Sequence, residues 1–353
     1  MTDSAFMLQR ALWREMPEDS SVISQLSVAM TTTGMMTQIT GENTMTTPSS
    51  SSSPGMEFYF QCAVVVIGAV GMATNGLILY ALVASRQHKK HVLIFNQNVL
   101  DFFSSLMMVV TYSLKLCNIH LAGSVGYWLC ALILNEYLIW CGFVGSVINL
   151  ASVTVERYLL VVHSSWRKTK LRAWMIYATA ALAWIASFIY NSAGVVPLSV
   201  VIDGVCHMSD VGKNKPAALS NLVASFVFFY VIILFIFIFC YGRILIVIRR
   251  QARVMAGHAV AGPNTAQTQF SQMQSNVVKT MIFVSAFYAI ALLPSYVYPV
   301  YMLSNQIGQD AGYYASAGLT YLYTCTNPFV YATKFDPVKD VILRLLRCKT
   351  AAE

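Results

Sequence analysis

Residues 146–163, SVINLASVTVERYLLVVH, close a long apolar run that starts near Trp128 and ends in adjacent opposite charges, Glu156 and Arg157, followed by Tyr158. An ionised pair at the end of a hydrophobic helix is costly unless it sits at the water boundary or faces protein. Carrying both signs side by side lets the carboxylate hold the guanidinium locally, so that something docking there can reorganise the pair. The rest of the chain reads as a scaffold built around that end.

The chain has 353 residues, of which 57% are hydrophobic and only 11% charged, whereas a soluble domain carries roughly 25% charged residues. Most of its surface therefore cannot face water, and the chain reads as an integral membrane protein. Stretches near 58–84, 92–116, 127–160, 173–197, 216–248, 276–303 and 311–333 are long and apolar enough to cross a bilayer, which takes about 20 residues each. Their composition favours helices, because lipid leaves an open chain no other way to satisfy its backbone. The fold class is thus an all-α membrane protein, a seven-transmembrane helix bundle with a short amphipathic helix after the seventh span.

Basic residues set the orientation. Arg86, Lys89 and Lys90 follow the first span, Arg167, Lys168, Lys170 and Arg172 the third, Arg249, Arg250 and Arg253 the fifth, and Lys334, Lys339, Arg344, Arg347 and Lys349 the seventh. The opposite loops and the N-terminal tail hold few. The N-terminus is expected outside and the C-terminus in the cytoplasm of a multi-pass plasma-membrane protein. The formal charge of +8 is then a matter of membrane topology and does not mark a nucleic-acid partner.

Three segments follow: a disordered extracellular tail over 1–56, rich in Met, Thr and Ser; the bundle over 57–334; and a membrane-surface helix with cytoplasmic tail over 335–353. In the last, Val338, Ile342 and Leu345 alternate with basic residues as in a helix lying on lipid. Cys348 there is a palmitoylation candidate or a free cytoplasmic thiol, and both readings stay open.

Within the second span Asp101 lies mid-membrane, where an acid costs about 2.5–3.5 kcal/mol on insertion scales. It must face the interior, with Asn96 and Asn98 helping to make that helix face polar. Along the third span Glu136 precedes Arg157 by 21 residues, about 31 Å along a helix, so the two mark opposite boundaries. Glu136, Trp140, Phe143 and Val147 share one helical face. They line an outward pocket, with one acid over an aromatic wall, or they are an interfacial glutamate beside packing aromatics. Pro294 removes a backbone bond inside the sixth span and favours a kink. Ser295, Tyr296, Tyr298 and Tyr301 lie beyond it.

At this point the chain resembles the rhodopsin-like family of G-protein-coupled receptors over roughly residues 57–348. The resemblance rests on Asn75, Asp101, the Glu156-Arg157-Tyr158 triplet, Trp184, Tyr241, Pro294 and the run from Asn327 through Pro328 to Tyr331, in register across the spans. It implies an extracellular ligand held among the outer halves of the helices and a sixth helix whose inner end swings outward. That movement uncovers Arg157 for a heterotrimeric G protein, with Tyr241 and Tyr331 re-packing toward the arginine. It also implies a Cys130–Cys206 disulfide, although Cys130 stands about two residues further from Arg157 than is usual. Asp101, Ser146 and Asn327 match positions that surround a sodium ion; no other cofactor is implied. Arrestin, receptor kinases and membrane lipid complete the implied partners.

Several positions depart from the pattern. Leu292 replaces a frequent tryptophan, Ile233 the fifth-span proline, Gln274 an acid that often faces the arginine, and Ser164 a proline after the triplet. The activation linkage must then run through different packing, the resting hold on Arg157 should be weaker, and basal signalling is expected. The aspartate of amine receptors is Ile139 here, and the lysine that opsins need is Tyr321. The remaining pocket candidates are Glu136, Trp140, Phe143, Tyr296, Tyr298, Tyr321 and Lys115. They favour a peptide or another medium-sized ligand with a basic group, the alternative being an amine-type ligand on Glu136. A transporter would more often show two related halves, and a channel a filter-like loop. The six histidines show no metalloenzyme spacing, and no enzyme activity is expected.

Overall fold

The computed structural model describes residues 54–163, 172–208, 215–257, 265–305 and 307–334, with positions 341, 343 and 344. Residues 1–53 and Cys348 lie outside the described residues, and of the helix expected over 335–353 only positions 341, 343 and 344, all helical, are described. The first helix begins at Pro54, inside the segment read as tail. Proline suits a first helical position because the N–H it lacks would have no partner there.

The first span is Pro54–Ala84 and the second Val92–Leu116. The third is composite: Gly123–Leu129, a π turn at Cys130–Leu134, and Tyr137–Val162. The fourth is Ala173–Val195. The fifth is also composite, with Lys215–Phe226, a π turn at Val227–Val231 and Ile232–Gly257. The sixth is Thr265–Asn305 and the seventh Ala311–Lys334. Among the described residues six helical stretches are long and apolar enough by themselves to cross a membrane. The seventh is more polar, and its polar side chains turn inward: Ser316, Thr320, Thr324 and Asn327 are all buried.

The third span is the axis of the bundle. Its most apolar stretch is 78% buried, against 17–39% for the other five, so it touches protein where they touch lipid. Small residues let the neighbours close in. Gly71 faces Ser105 of the second span and Cys325 of the seventh with no room for a methyl group. Beside it, Asn75 Nδ2 donates to the Gly71 and Thr324 carbonyls at 2.9 and 3.1 Å, tying the first span to the seventh.

The expected unbroken rod from Trp128 is corrected at its N-terminal end. The π turn takes up one more residue than an α-turn, and Glu136, at φ 62°, then occupies the left-handed region. That backbone stop, with the π turn, absorbs the extra residues between Cys130 and Arg157. Cys130 consequently still meets Cys206, and the disulfide forms. Cys206 sits in an antiparallel hairpin, β1 (Ser199–Ile202) paired with β2 (Val205–Met208). The turn is Asp203-Gly204, both at positive φ, as a two-residue hairpin with right-handed strand twist demands.

In the sixth span Pro294 is joined by Pro299, a second interior proline that the sequence reading left out. The π turn of the fifth span occurs beside Ile233, without a proline, and two tyrosine hydroxyls tie it to the sixth span. Tyr288 donates its hydroxyl to the Phe229 carbonyl, and Tyr230 donates to the Ala289 carbonyl at 2.8 Å. This reciprocal pair lies just inward of Pro294, where the absent tryptophan and proline would otherwise set the packing.

Candidate functional site

The end of the bundle that carries the hairpin holds a cavity of about 320 Å³ between the first, second, third and seventh spans and the hairpin. Glu57, Phe60, Lys115, Asn135, Val205 and Tyr313 are among its walls. Asn135 is placed there by the break in the third span, where its Nδ2 donates to Ser199 Oγ of the hairpin at 2.7 Å.

Under this cavity four side chains meet. Lys115 Nζ lies 2.6 Å from Glu136 Oε1 and 4.6 Å over the Tyr112 ring. Tyr112 donates its hydroxyl to Glu136 Oε1 at 2.7 Å, and Tyr321 to Glu136 Oε2 at 2.7 Å. Glu136 is fully buried, while the Lys115 side chain keeps 16% exposure. The geometry explains a costly backbone: a left-handed non-glycine residue is worth about 1–3 kcal/mol of strain, and three charge-assisted bonds to its carboxylate offset that. Of the four, Tyr112 and Lys115 face the cavity directly.

The structure brings Trp140 next to this cluster, with Phe143 behind it, and places neither among the cavity walls. Trp140 packs on Phe143 at 5.5 Å and on Tyr321 at 6.4 Å between ring centroids. Its Nε1 is buried with no partner among the described residues. Tyr296 and Tyr298 are elsewhere. Tyr296 packs between the fifth and sixth spans on Phe226 and Tyr230, at 5.7 and 5.8 Å. Tyr298 donates to Asp310 Oδ1 at 2.6 Å where the sixth span meets the seventh. The Tyr298 hydroxyl, helped by the Tyr313 amide, holds the Asp310 carboxyl below the usual carboxylate range. Tyr112 is the partner that sequence reasoning missed, although it stands one helical turn from Lys115 on the same face.

Mid-membrane, Asp101 is fully buried. Ser146 Oγ donates to its Oδ1 and Asn327 Nδ2 to its Oδ2, both at 2.7 Å. The three residues that the resemblance assigns to sodium do therefore converge. Gln97 joins them from the second span, donating from Nε2 to Ser146 Oγ.

At the end of the bundle opposite the hairpin Arg157 is buried, 7% exposed. Its Nη2 stands 3.7 Å from Glu156 Oε2 and donates to Nδ1 of His91, the residue just before the second span, at 3.2 Å. Its Nε is buried with no partner among the described residues. Among the described residues, the hold on the guanidinium is thus one loose carboxylate and one imidazole. Tyr241 reaches Thr154, one turn outward of Arg157, at 2.9 Å. Tyr331 lies on the seventh helix, with its side chain outside the described residues. Pro328 and Asn327 are buried in that helix.

The comparisons agree with this architecture. A sequence profile described as "7 transmembrane receptor (rhodopsin family)" matches residues 74–331. Melanopsin of Phodopus sungorus is 24% identical over 300 residues, covering 81% of this chain and 61% of melanopsin. Human somatostatin receptor type 3 is 24% identical over 291 residues, covering 76% of this chain and 63% of that receptor. The chain thus spans under two thirds of these relatives' own length. The crystal structure of squid rhodopsin superposes with a TM-score of 0.63 at 16% identity, over 87% of this chain and 94% of squid rhodopsin; that likeness speaks for the fold. The profile covers well over half of the chain and describes multi-pass membrane receptors, not enzymes. The chain belongs to the rhodopsin family of seven-transmembrane receptors.

Proposed function

We propose that this protein is a cell-surface receptor that takes an extracellular ligand in its outer cavity and, on binding, uncovers Arg157 to a heterotrimeric G protein. The N-terminus lies outside the plasma membrane, and arrestin and receptor kinases meet the same inner face. The observation that carries this reading is the third span itself. One element holds a strained, charged cluster beneath an outward cavity at one end and a weakly clamped arginine at the other. A ligand that moves the Glu136 cluster acts on the same rod whose far end carries Arg157.

The ligand favoured is a peptide or another medium-sized molecule. Glu136 is already neutralised by Lys115 and capped by two hydroxyls, which weighs against the amine-type alternative and against a basic group seated on Glu136. Lys115 is the charged member that reaches the cavity wall, and an ammonium there can donate to a carboxylate or carbonyl oxygen of a ligand. The test is a ligand library screened on cells carrying a panel of G-protein reporters, followed by nucleotide exchange on purified heterotrimer. Hits should lose potency on Lys115→Met, and an N-terminal tag should be stained on unpermeabilised cells. Ligand-driven flux across proteoliposomes without nucleotide exchange would instead favour a carrier.

A further inference from the structure

Asp101 stands at the end of a hydrogen-bond chain that runs in one direction across the second, third and fourth spans. It starts at Trp184, whose indole nitrogen can only donate, and which donates to Asn96 Oδ1 at 3.0 Å. That fixes the Asn96 amide, whose Nδ2 donates to Asn149 Oδ1 at 2.9 Å. Asn149 then gives its Nδ2 to Gln97 Oε1 at 2.8 Å and to the Leu93 carbonyl at 2.9 Å. Gln97 is left with its nitrogen facing Ser146 Oγ and, at 3.4 Å, Asp101 Oδ2. Turning any one of these amides over would set donor against donor or acceptor against acceptor. Asn149, Gln97, Ser146 and Asp101 are all fully buried, so no bulk water relieves such a mismatch.

A hard cation needs converging oxygen lone pairs. Here donors converge instead. The acceptor side of Ser146 Oγ is filled by the Gln97 amide, and its proton is given to Asp101. Asn327 turns its nitrogen to the carboxylate, while its Oδ1 is buried with no partner among the described residues. Gln97 Oε1, the oxygen that could turn toward an ion, is held away by Asn149. The donor set has the wrong sign for the sodium ion that the resemblance implies.

We propose that the Gln97 amide stands in the cation's place, so that this receptor closes its Asp101 site with its own side chain and binds no sodium there. Gln97, oriented by Asn149, is the residue that decides this. The inference concerns ion binding by the ligand-free protein and is independent of which ligand or G protein the receptor uses.

The test is thermal unfolding of the purified full-length receptor in sodium, potassium and choline chloride at equal ionic strength. A thiol-reactive dye that reads exposure of the buried Cys141, Cys240 and Cys325 reports the midpoint. The wild type should give the same midpoint in all three salts. Gln97→Leu should gain a sodium-specific rise of about 2 °C at roughly ten times the ion's dissociation constant, and Gln97→Leu/Asp101→Asn should lose it. A sodium-specific rise in the wild type that Asp101→Asn removes overturns the proposal. So does a folded Gln97→Leu with no sodium response. The wild-type comparison needs no variant to fold, and sodium-23 line broadening repeats it independently: broadening that disappears in Asp101→Asn refutes the closed site, and none upholds it.

Discussion

Replacing Lys115 by methionine keeps the length and apolar body of the side chain and removes only its charge. Glu136 would then hold an ionised carboxylate with no exposure and two tyrosine hydroxyls as its remaining partners. Breaking a buried pair from one side costs about 3–5 kcal/mol, because the surviving charge is left uncompensated. The two hydroxyls and the partial exposure of Lys115 place the expected loss near the lower end, about 3 kcal/mol. The opposite change is cheaper. After Glu136→Gln, Lys115 keeps a route to the cavity and can turn its ammonium toward water, so the loss should be about 1–2 kcal/mol. The double variant should resemble Glu136→Gln, since the stranded carboxylate is gone. In thermal unfolding of the detergent-purified receptor, Lys115→Met should fall by about 4–5 °C and the double variant should recover roughly a third to two thirds of that. A Lys115→Met receptor as stable as the wild type, or a Glu136→Gln variant less stable than Lys115→Met, would refute the view that a buried ion pair organises this end.

Three further outcomes follow from the inner half. Tyr288→Phe removes the hydroxyl that holds the Phe229 carbonyl at the fifth-span π turn; it should cost about 1–2 kcal/mol and raise ligand-free signalling in a reporter assay, and unchanged basal output would count against this tie as a resting restraint. His91→Phe removes the acceptor for Arg157 Nη2 and should likewise raise basal output, whereas His91→Asn, which can still accept, should stay nearer the wild type. Gln274→Glu supplies an acid on the sixth helix, at the position where related receptors often face the arginine with one. It should lower basal signalling, and identical background-level output from it and the wild type would remove the claim that the resting hold is weak.

Much of the bundle was legible because lipid leaves few choices: apolar length, basic loops and inward polar residues each follow from one physical constraint. The third span shows where that reading ran out. Periodicity treats Trp128 to His163 as one rod, since every residue in CALILNE is compatible with a helix. The break at Glu136 is fixed by contacts remote in sequence: the disulfide to Cys206, Asn135 on Ser199, and the hydroxyls of Tyr112 and Tyr321. The hairpin could have been seen, because Asp203-Gly204 between Val and Ile residues is a strong turn signal. At the site, sequence placed Glu136, Lys115 and Tyr321 among the same candidates but could not say that the first two neutralise each other. Tyr296 and Tyr298 share the outer sixth span with the expected pocket, yet helix rotation turns one to the fifth span and the other to Asp310. Asp101, Ser146 and Asn327 were found by resemblance. The role of Gln97 emerges only when the direction of every amide is traced back to the Trp184 indole.

The most direct test of the account is guanine-nucleotide exchange on purified heterotrimeric G proteins by the full-length receptor in lipid nanodiscs, without ligand, for the wild type and Arg157→Leu. The wild type should accelerate exchange above the receptor-free rate for at least one heterotrimer, and Arg157→Leu should return it to that rate. Equal rates for the wild type, Arg157→Leu and empty nanodiscs across the whole panel would contradict it.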